Sequence, residues 1–233
     1  MSIYGQPCPV ARAASLLYER WTLLIVRELL TGSRQFNDIH RGLPRMSRTL
    51  LSRRLRELID AGVVERATLP RGAEGYRLTR AGRELEPMVE QMAAWANRWI
   101  GTEAEPEQPD PAHLMWDIRR QVDLDRLPSN PVTVKFEFTD VPDDHDTWWL
   151  YLDHNVASVG QEMPRGGHDL VVCGACRDLA RAWFGDVDLK HALEGGRIRL
   201  DGDARLRRSF PRWIGRSPFA RAGWRGRYSP ASG

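Results

Sequence analysis

The feature that most constrains this chain is an interruption. Residues 101–111, GTEAEPEQPDP, hold three prolines and four acids, with no basic residue and no hydrophobic periodicity. Proline fixes φ and removes a backbone donor, and a run without apolar side chains has nothing to bury, so the segment reads as a linker. It cuts the 233 residues into two lengths that each suit a small domain. The expected organisation is a first domain over residues 1–100, the linker over 101–111, a second domain over 112–223 and a tail over 224–233.

The two halves differ in charge. Residues 1–100 carry 16 Arg and no Lys against 10 acids, a balance of +6, while the rest carries 18 Arg and Lys against 21 acids, a balance of −3. A basic half beside a mildly acidic one suggests that only the first meets a polyanion. No apolar run approaches the roughly 20 residues of a membrane span. The opening MSIYGQPCPVARAAS lacks a charged stretch followed by an apolar one, so no secretory signal is expected. Three cysteines, an odd number, argue against a disulfide framework. A cytoplasmic protein is the plain expectation.

In the first half PVARAASLLYE begins a helix with proline just inside it, and WTLLIVRELLTG reads as a buried helix closed by glycine. A short helix in RQFNDIHRGL is stopped at Pro44. MSRTLLSRRLRELIDAG is longer, with Ser47 placed to cap it and Leu51, Leu55 and Leu58 at helical spacing. VVERATL and YRLT then read as strands around the turn RGAEG, and RAGRELEPMVEQMAAWANRWI as a long helix that Pro87 bends or interrupts. A helix pair followed by a hairpin is the order of a winged helix-turn-helix, whose second helix lies in the major groove. On the helix after Ser47 one face is leucine. The other offers Ser47, Arg48, Thr49, Ser52, Arg53 and Arg56, and the hairpin turn adds Arg71. Arginine suits guanine edges and phosphates, and the hydroxyls suit either, so these seven are the candidate DNA contacts.

These residues also carry a resemblance. The Cys-Pro-Val start at Cys8, Arg20-Trp21-Thr22, the helix with Phe36 and Ile39, the Ser47–Leu55 pattern and Leu78-Thr79-x-x-Gly82 together resemble the HxlR family of bacterial winged-helix regulators over about residues 8–100. The resemblance implies a homodimer on a palindromic operator, with the first and last helices of the domain at the interface. It also makes Cys8 a candidate redox site, since some members sense oxidants or electrophiles through a cysteine at this position. Independently, Met88, Met92, Trp95 and Trp99 make an apolar stripe on the last helix. Cys8 itself precedes Pro9 at a helix start, where the dipole and free N–H groups favour a thiolate.

The second half is α+β in pattern. AHLMWDIRRQVDLDRLP reads as a helix up to Pro128. PVTVKFEFTD alternates strictly; TWWLYLDH, NVASVGQEM, DLVVCGA and GRIRLDG supply further strands, and three helices follow or intervene. One sheet covered by helices is expected. From Asp169 to Ile214 the order of elements resembles the sterol-carrier-protein family. That resemblance implies an apolar tunnel between sheet and helices, with Leu179, Trp183, Phe184, Phe210 and Trp213 as candidate ligand contacts.

Other signals are weak. Cys173-Gly-Ala-Cys176 has no second CxxC and no nearby histidine to complete a zinc set, and His145, His154 and His168 match no metal or hydrolytic spacing. No catalytic constellation, metal site or cofactor is expected. The sequence therefore favours a DNA-binding regulator, a repressor by default, modulated by a small apolar ligand or at Cys8. The alternative is a carrier or enzyme accessory module in which DNA contact is secondary.

Overall fold

A computed structural model of the chain describes residues 5–100, 109–154 and 156–220, apart from the Arg71 side chain. Most of the linker and the whole 224–233 tail therefore lie outside the described residues. The chain forms two compact units, Met1–Ala93 and Ala94–Gly233.

The first unit runs α1 (Pro9–Leu17), α2 (Thr22–Leu30), α3 (Phe36–Arg41), α4 (Arg48–Asp60), β1 (Val64–Thr68), β2 (Glu74–Leu78), α5 (Arg80–Arg83) and the start of α6 (Glu86–Trp99). Its core is Ile25, Val26 and Leu29 of α2, Ile39 of α3, and Leu51, Leu55 and Leu58 of α4, all with at most 1% of their surface exposed. Side chains of this size contribute about 1.5–3 kcal/mol each when fully buried, so the α2–α4 helices cannot be separated cheaply. Trp21 turns the chain into α2 with φ +78, a left-handed conformation that non-glycine residues seldom adopt.

β1 and β2 pair antiparallel, Val64 opposite Leu78 and Thr68 opposite Glu74. The wing is tied to the helices by the Tyr76 N–H, which donates to the Arg34 carbonyl at 2.8 Å. The Leu78-Thr79-x-x-Gly82 motif has a physical reason. The Thr79 hydroxyl accepts from the Gly82 N–H at 3.1 Å and donates to the Gly62 carbonyl at 2.6 Å. A Cβ at Gly82 would stand 2.2 Å from the Val63 carbonyl oxygen, so only glycine lets the next helix approach the wing.

Of the two readings at Pro87 the structure shows the interruption, and one expectation of a longer helix is corrected. The stretch from Arg80 to Ile100 is two helices, α5 and α6, with Pro87 near the start of the second. A proline there interrupts no intrahelical bond, whereas in mid-helix it would remove one and clash with the preceding turn. The helix expected up to Pro128 ends at Gln121 and is followed by a single 3-10 turn at Leu124–Arg126.

The second unit continues with α7 (Pro111–Gln121), β3 (Val132–Phe138), β4 (Thr147–Leu152), β5 (Ala157–Gly160), β6 (Leu170–Gly174), α8 (Cys176–Trp183), α9 (Leu189–Glu194), β7 (Ile198–Gly202) and α10 (Ala204–Trp213). Its sheet has the order β5-β4-β3-β6-β7. β3 and β6 are parallel and every other pair is antiparallel. The alternation of β3 sends Val132, Val134, Phe136 and Phe138 into a core shared with Leu150, Leu152 and Leu170 and with Met115, Ile118, Leu179, Phe210 and Trp213 of the helices. Thr133, Lys135 and Glu137 take the opposite face. This is an α+β unit with its helices against one face of one sheet.

Candidate nucleic-acid interface

α4 is the helix on which the DNA-reading residues were expected. Ser47 begins it in extended conformation and its hydroxyl accepts from the Leu50 N–H at 3.3 Å. Capping a helix with a serine is worth about 1 kcal/mol, and it engages the hydroxyl that was a candidate DNA contact. Leu51, Leu55 and Leu58 close on the core, which leaves Arg48, Thr49, Arg53 and Arg56 exposed and Ser52 half-buried beside them. Arg48 is held across to α3: its guanidinium donates to Asn37 Oδ1 at 2.7 Å and lies 5.0 Å above the Phe36 ring. Arg53 is more loosely tethered, 3.7 Å from the Glu57 carboxylate. Arg56 Nε donates to the Ser52 carbonyl at 3.4 Å. The structure therefore brings six of the seven candidates together along one outward face. The seventh, Arg71, sits on the wing turn Pro70–Gly72, and its side chain is outside the described residues.

The fourth arginine of α4 behaves differently. Arg54 is only 7% exposed and is clamped between two carboxylates, Glu57 at 2.6 Å and Glu19 in the turn after α1. Burial works against its charge, but bonding and attraction from Glu57 and Glu19 outweigh that and raise its pKa further. It fixes α4 to the α1–α2 turn and is not available to a groove. A second buried charge lies behind the helix pair. Glu28 is fully buried, with Arg27 Nη2 at 2.7 Å on one oxygen and the Ser33 hydroxyl at 3.0 Å on the other. Gly42, at the end of α3, lies against that carboxylate; a Cβ there would stand 2.0 Å from it.

The other candidates are placed as follows. Cys8 caps α1 through its backbone, its carbonyl accepting from the Arg12 N–H at 3.1 Å, and its thiol is exposed. On α6 the stripe Met88, Met92, Trp95 and Trp99 faces solvent, with Trp95 58% and Trp99 69% exposed. In the second unit a cavity of about 290 Å³ is lined by Leu179, Trp183 and Phe210 together with Ile118, Val187 and Ile214. It lies among the helices and not between sheet and helices, because Val134, Phe136, Leu150 and Leu170 already fill the inner face of the sheet with no exposed surface. Phe184 and Trp213 are not in its wall, although they pack in the same core as the residues that line it.

Cys173 and Cys176 do sit at a strand-to-helix junction, but they do not meet. Cys173 is on the outer face of β6, its sulfur accepting from Arg199 at 3.4 Å, and Cys176 is buried in the core cluster. Burial first, and then the negative charges of Asp140 and Asp110, push the Cys176 thiol up to about 12. Among the described residues no group of His, Cys, Asp and Glu could hold a metal, and no helix is long and apolar enough to cross a membrane.

Comparison with known proteins fits this geometry. Residues 16–104 match the model of the HxlR-like helix-turn-helix family. The chain is 41% identical over 99 residues to YvaP of Bacillus subtilis, an uncharacterised HTH-type transcriptional regulator, covering 41% of this chain and 92% of YvaP. It is 37% identical over 95 residues to the HTH-type transcriptional regulator YodB of the same organism, covering 40% of this chain and 85% of YodB. Against the structure of reduced YodB the identity is 35% and the TM-score 0.36, covering 44% of this chain and all of that one. YodB is also known in diamide-treated and quinone-bound structures. Each of these likenesses spans less than half of the chain, and through residues 16–104 the chain belongs to the HxlR-like helix-turn-helix family.

Proposed function

We propose that the protein is a homodimeric transcriptional repressor that binds a palindromic operator and is modulated through its second domain or through Cys8. The observation that carries the reading is the outward face of α4. Arg48, Thr49, Ser52, Arg53 and Arg56 lie on the side opposite a closed leucine core, at the position of a recognition helix. Dimerisation is supported by the exposed stripe on α6 and by Val10 and Tyr18, about 70% exposed on and just after α1. Two such subunits would present α4 helices to successive major grooves. Modulation at Cys8 is supported by its exposed thiol at a helix start and by the likeness to YodB, a protein with a quinone-bound form. Binding of a small apolar molecule is supported by the cavity of about 290 Å³, close to the lower end of the 300–1,000 Å³ range of small-molecule sites.

The test is salt-dependent binding of the full chain to a palindrome from its own promoter. Affinity should fall steeply with salt and drop for the Arg48→Ala/Arg53→Ala variant. Equal binding by the variant sinks the assignment of α4. The second reading, a carrier of apolar ligands, rests on the same cavity. Transfer of lipid between vesicles by a chain with no affinity for any duplex would favour it.

A further inference from the structure

The acid excess of the second half conceals a segregation of charge. α10 turns Leu206, Phe210 and Trp213 to the core and leaves Arg205, Arg207, Arg208 and Arg212 in solvent, with no acid within the helix. The neighbouring edge strand β7 adds Arg199, and the turn before it adds Arg197, both exposed. Among the described residues none of Arg197, Arg205, Arg207, Arg208 and Arg212 forms an ion pair. Three acids stand near them: Asp201 on β7, Asp203 at the cap of α10, and Glu194, which faces Lys190 at 3.7 Å. Four guanidinium groups therefore stand in solvent along α10, with Arg197 and Arg199 before and on the adjoining edge strand, in a domain whose sequence is net acidic. Beside them an open groove of about 630 Å³ has Leu193, Ile198 and Leu200 in its floor and Arg199, Arg207 and Arg208 at its edge.

Like charges gathered on a folded surface repel unless an anion completes them. Guanidinium is the side chain best matched to phosphate, because its planar fork donates two parallel bonds. Arg205, Arg208 and Arg212 follow helical spacing and form a row about 10 Å long, enough to reach two successive phosphates of one strand. The open shape of the groove suits an extended backbone better than an enclosed small anion. We propose that the α10–β7 arginine face is a second DNA-contacting surface, which binds the phosphate backbone of a duplex without reading its sequence. The occupant is chosen by charge complementarity and by membership of a helix-turn-helix family, so the proposal rests on the DNA-binding reading of the first unit.

The experiment measures binding of the full chain to a duplex of random sequence, as a function of salt. Four proteins are compared: wild type, Arg208→Ala/Arg212→Ala, Arg208→Lys/Arg212→Lys and Arg48→Ala/Arg53→Ala. Losing two phosphate contacts should flatten the plot of log affinity against log salt by about 1.8, so that between about 50 and 200 mM the variant loses about 12-fold less affinity than wild type. The lysine variant should keep the wild-type slope. Circular dichroism checks that these exposed substitutions leave the fold intact. An unchanged slope in the alanine variant, with a loss in Arg48→Ala/Arg53→Ala, overturns this proposal and leaves the reading of α4 standing. No duplex binding by wild type overturns both. An unchanged slope together with lost binding to vesicles of anionic phospholipid assigns the face to a lipid surface and overturns the proposal as well.

Discussion

The two units use amphipathic helices in opposite senses. In the first, the apolar side of α4 is consumed by a core in which Leu51, Leu55 and Leu58 are almost completely buried, and its outward side is the candidate site. In the second, the apolar sides of α7, α8 and α10 do not quite close, and the space left between Ile118, Leu179, Trp183 and Phe210 is a candidate site turned inward. A convex site needs a rigid support, so its unit should tolerate added bulk badly inside and lost charge well outside. A concave site needs room, so its unit should show the reverse.

The largest effect is expected at the outward stripe of α6. Replacing Trp95 by Glu should place a charge in the proposed dimer contact and weaken association by about 3–5 kcal/mol. Because Trp95 is 58% exposed in the single chain, the thermal midpoint of the monomer should move little. Sedimentation of the full chain at micromolar concentration reads the result, and a wild type that is already monomeric removes the two-half-site geometry. Next comes Gly42→Ala, which sets a methyl group against the buried Glu28 carboxylate. We expect about 3 kcal/mol of destabilisation in urea unfolding, from overpacking and from disturbing the Arg27–Glu28 pair. A variant as stable as wild type would mean that the first unit is looser than its core suggests.

Arg48→Ala and Arg53→Ala should each weaken operator binding by about 1–3 kcal/mol if they touch bases, and leave stability within about 0.5 kcal/mol. A loss spread equally over all sequences would instead mark a phosphate contact. Against Gly42→Ala stands Leu179→Trp, which adds far more volume. If the cavity accepts the indole, the cost should stay under about 1 kcal/mol while uptake of apolar dyes disappears. Overpacking of about 1–3 kcal/mol would show that there is no usable space.

The smallest effect is chemical. At neutral pH Cys8 should react with an alkylating reagent and Cys176 should not, as mass spectrometry of the folded protein can record. The folded Cys176 thiol is raised from 9.0 to about 12. Its contribution to stability is therefore complete below pH 9 and declines as pH rises from 9 towards 12, because an unfolded chain ionises first.

These contrasts also explain what the sequence disclosed. α4 was legible because a capping serine and three leucines at helical spacing leave one way to orient the helix. Its outward face, the candidate DNA surface, followed by subtraction. Arg54 was missed although a signal was present: it lies three residues after Leu51 and four before Leu58, inside the apolar stripe, where a charge must find partners. Glu57, three residues on along the same helix, was legible from spacing, whereas Glu19 becomes visible only once α1 and α4 are folded together. The interruption near Pro87 was legible from backbone chemistry, since proline is tolerated in the first turn of a helix and not inside it. The cavity could not have been located, since Leu179, Trp183 and Phe210 line it while Phe184 and Trp213, packed in the same core, do not, and the five are alike in composition. The arginine face of α10 was hidden by averaging charge over a whole half of the chain.

The clamp on Arg54 makes α1 a lever. Its near end begins at Cys8, and its far end, nine helical residues on, runs into the turn that Glu19 pins to α4. That arm is about 13 Å long. Any displacement of that arm would be passed to α4, the proposed recognition helix, through the Glu19–Arg54 pair. Glu19→Gln would take the charge out of that linkage and leave Glu57 alone to neutralise Arg54.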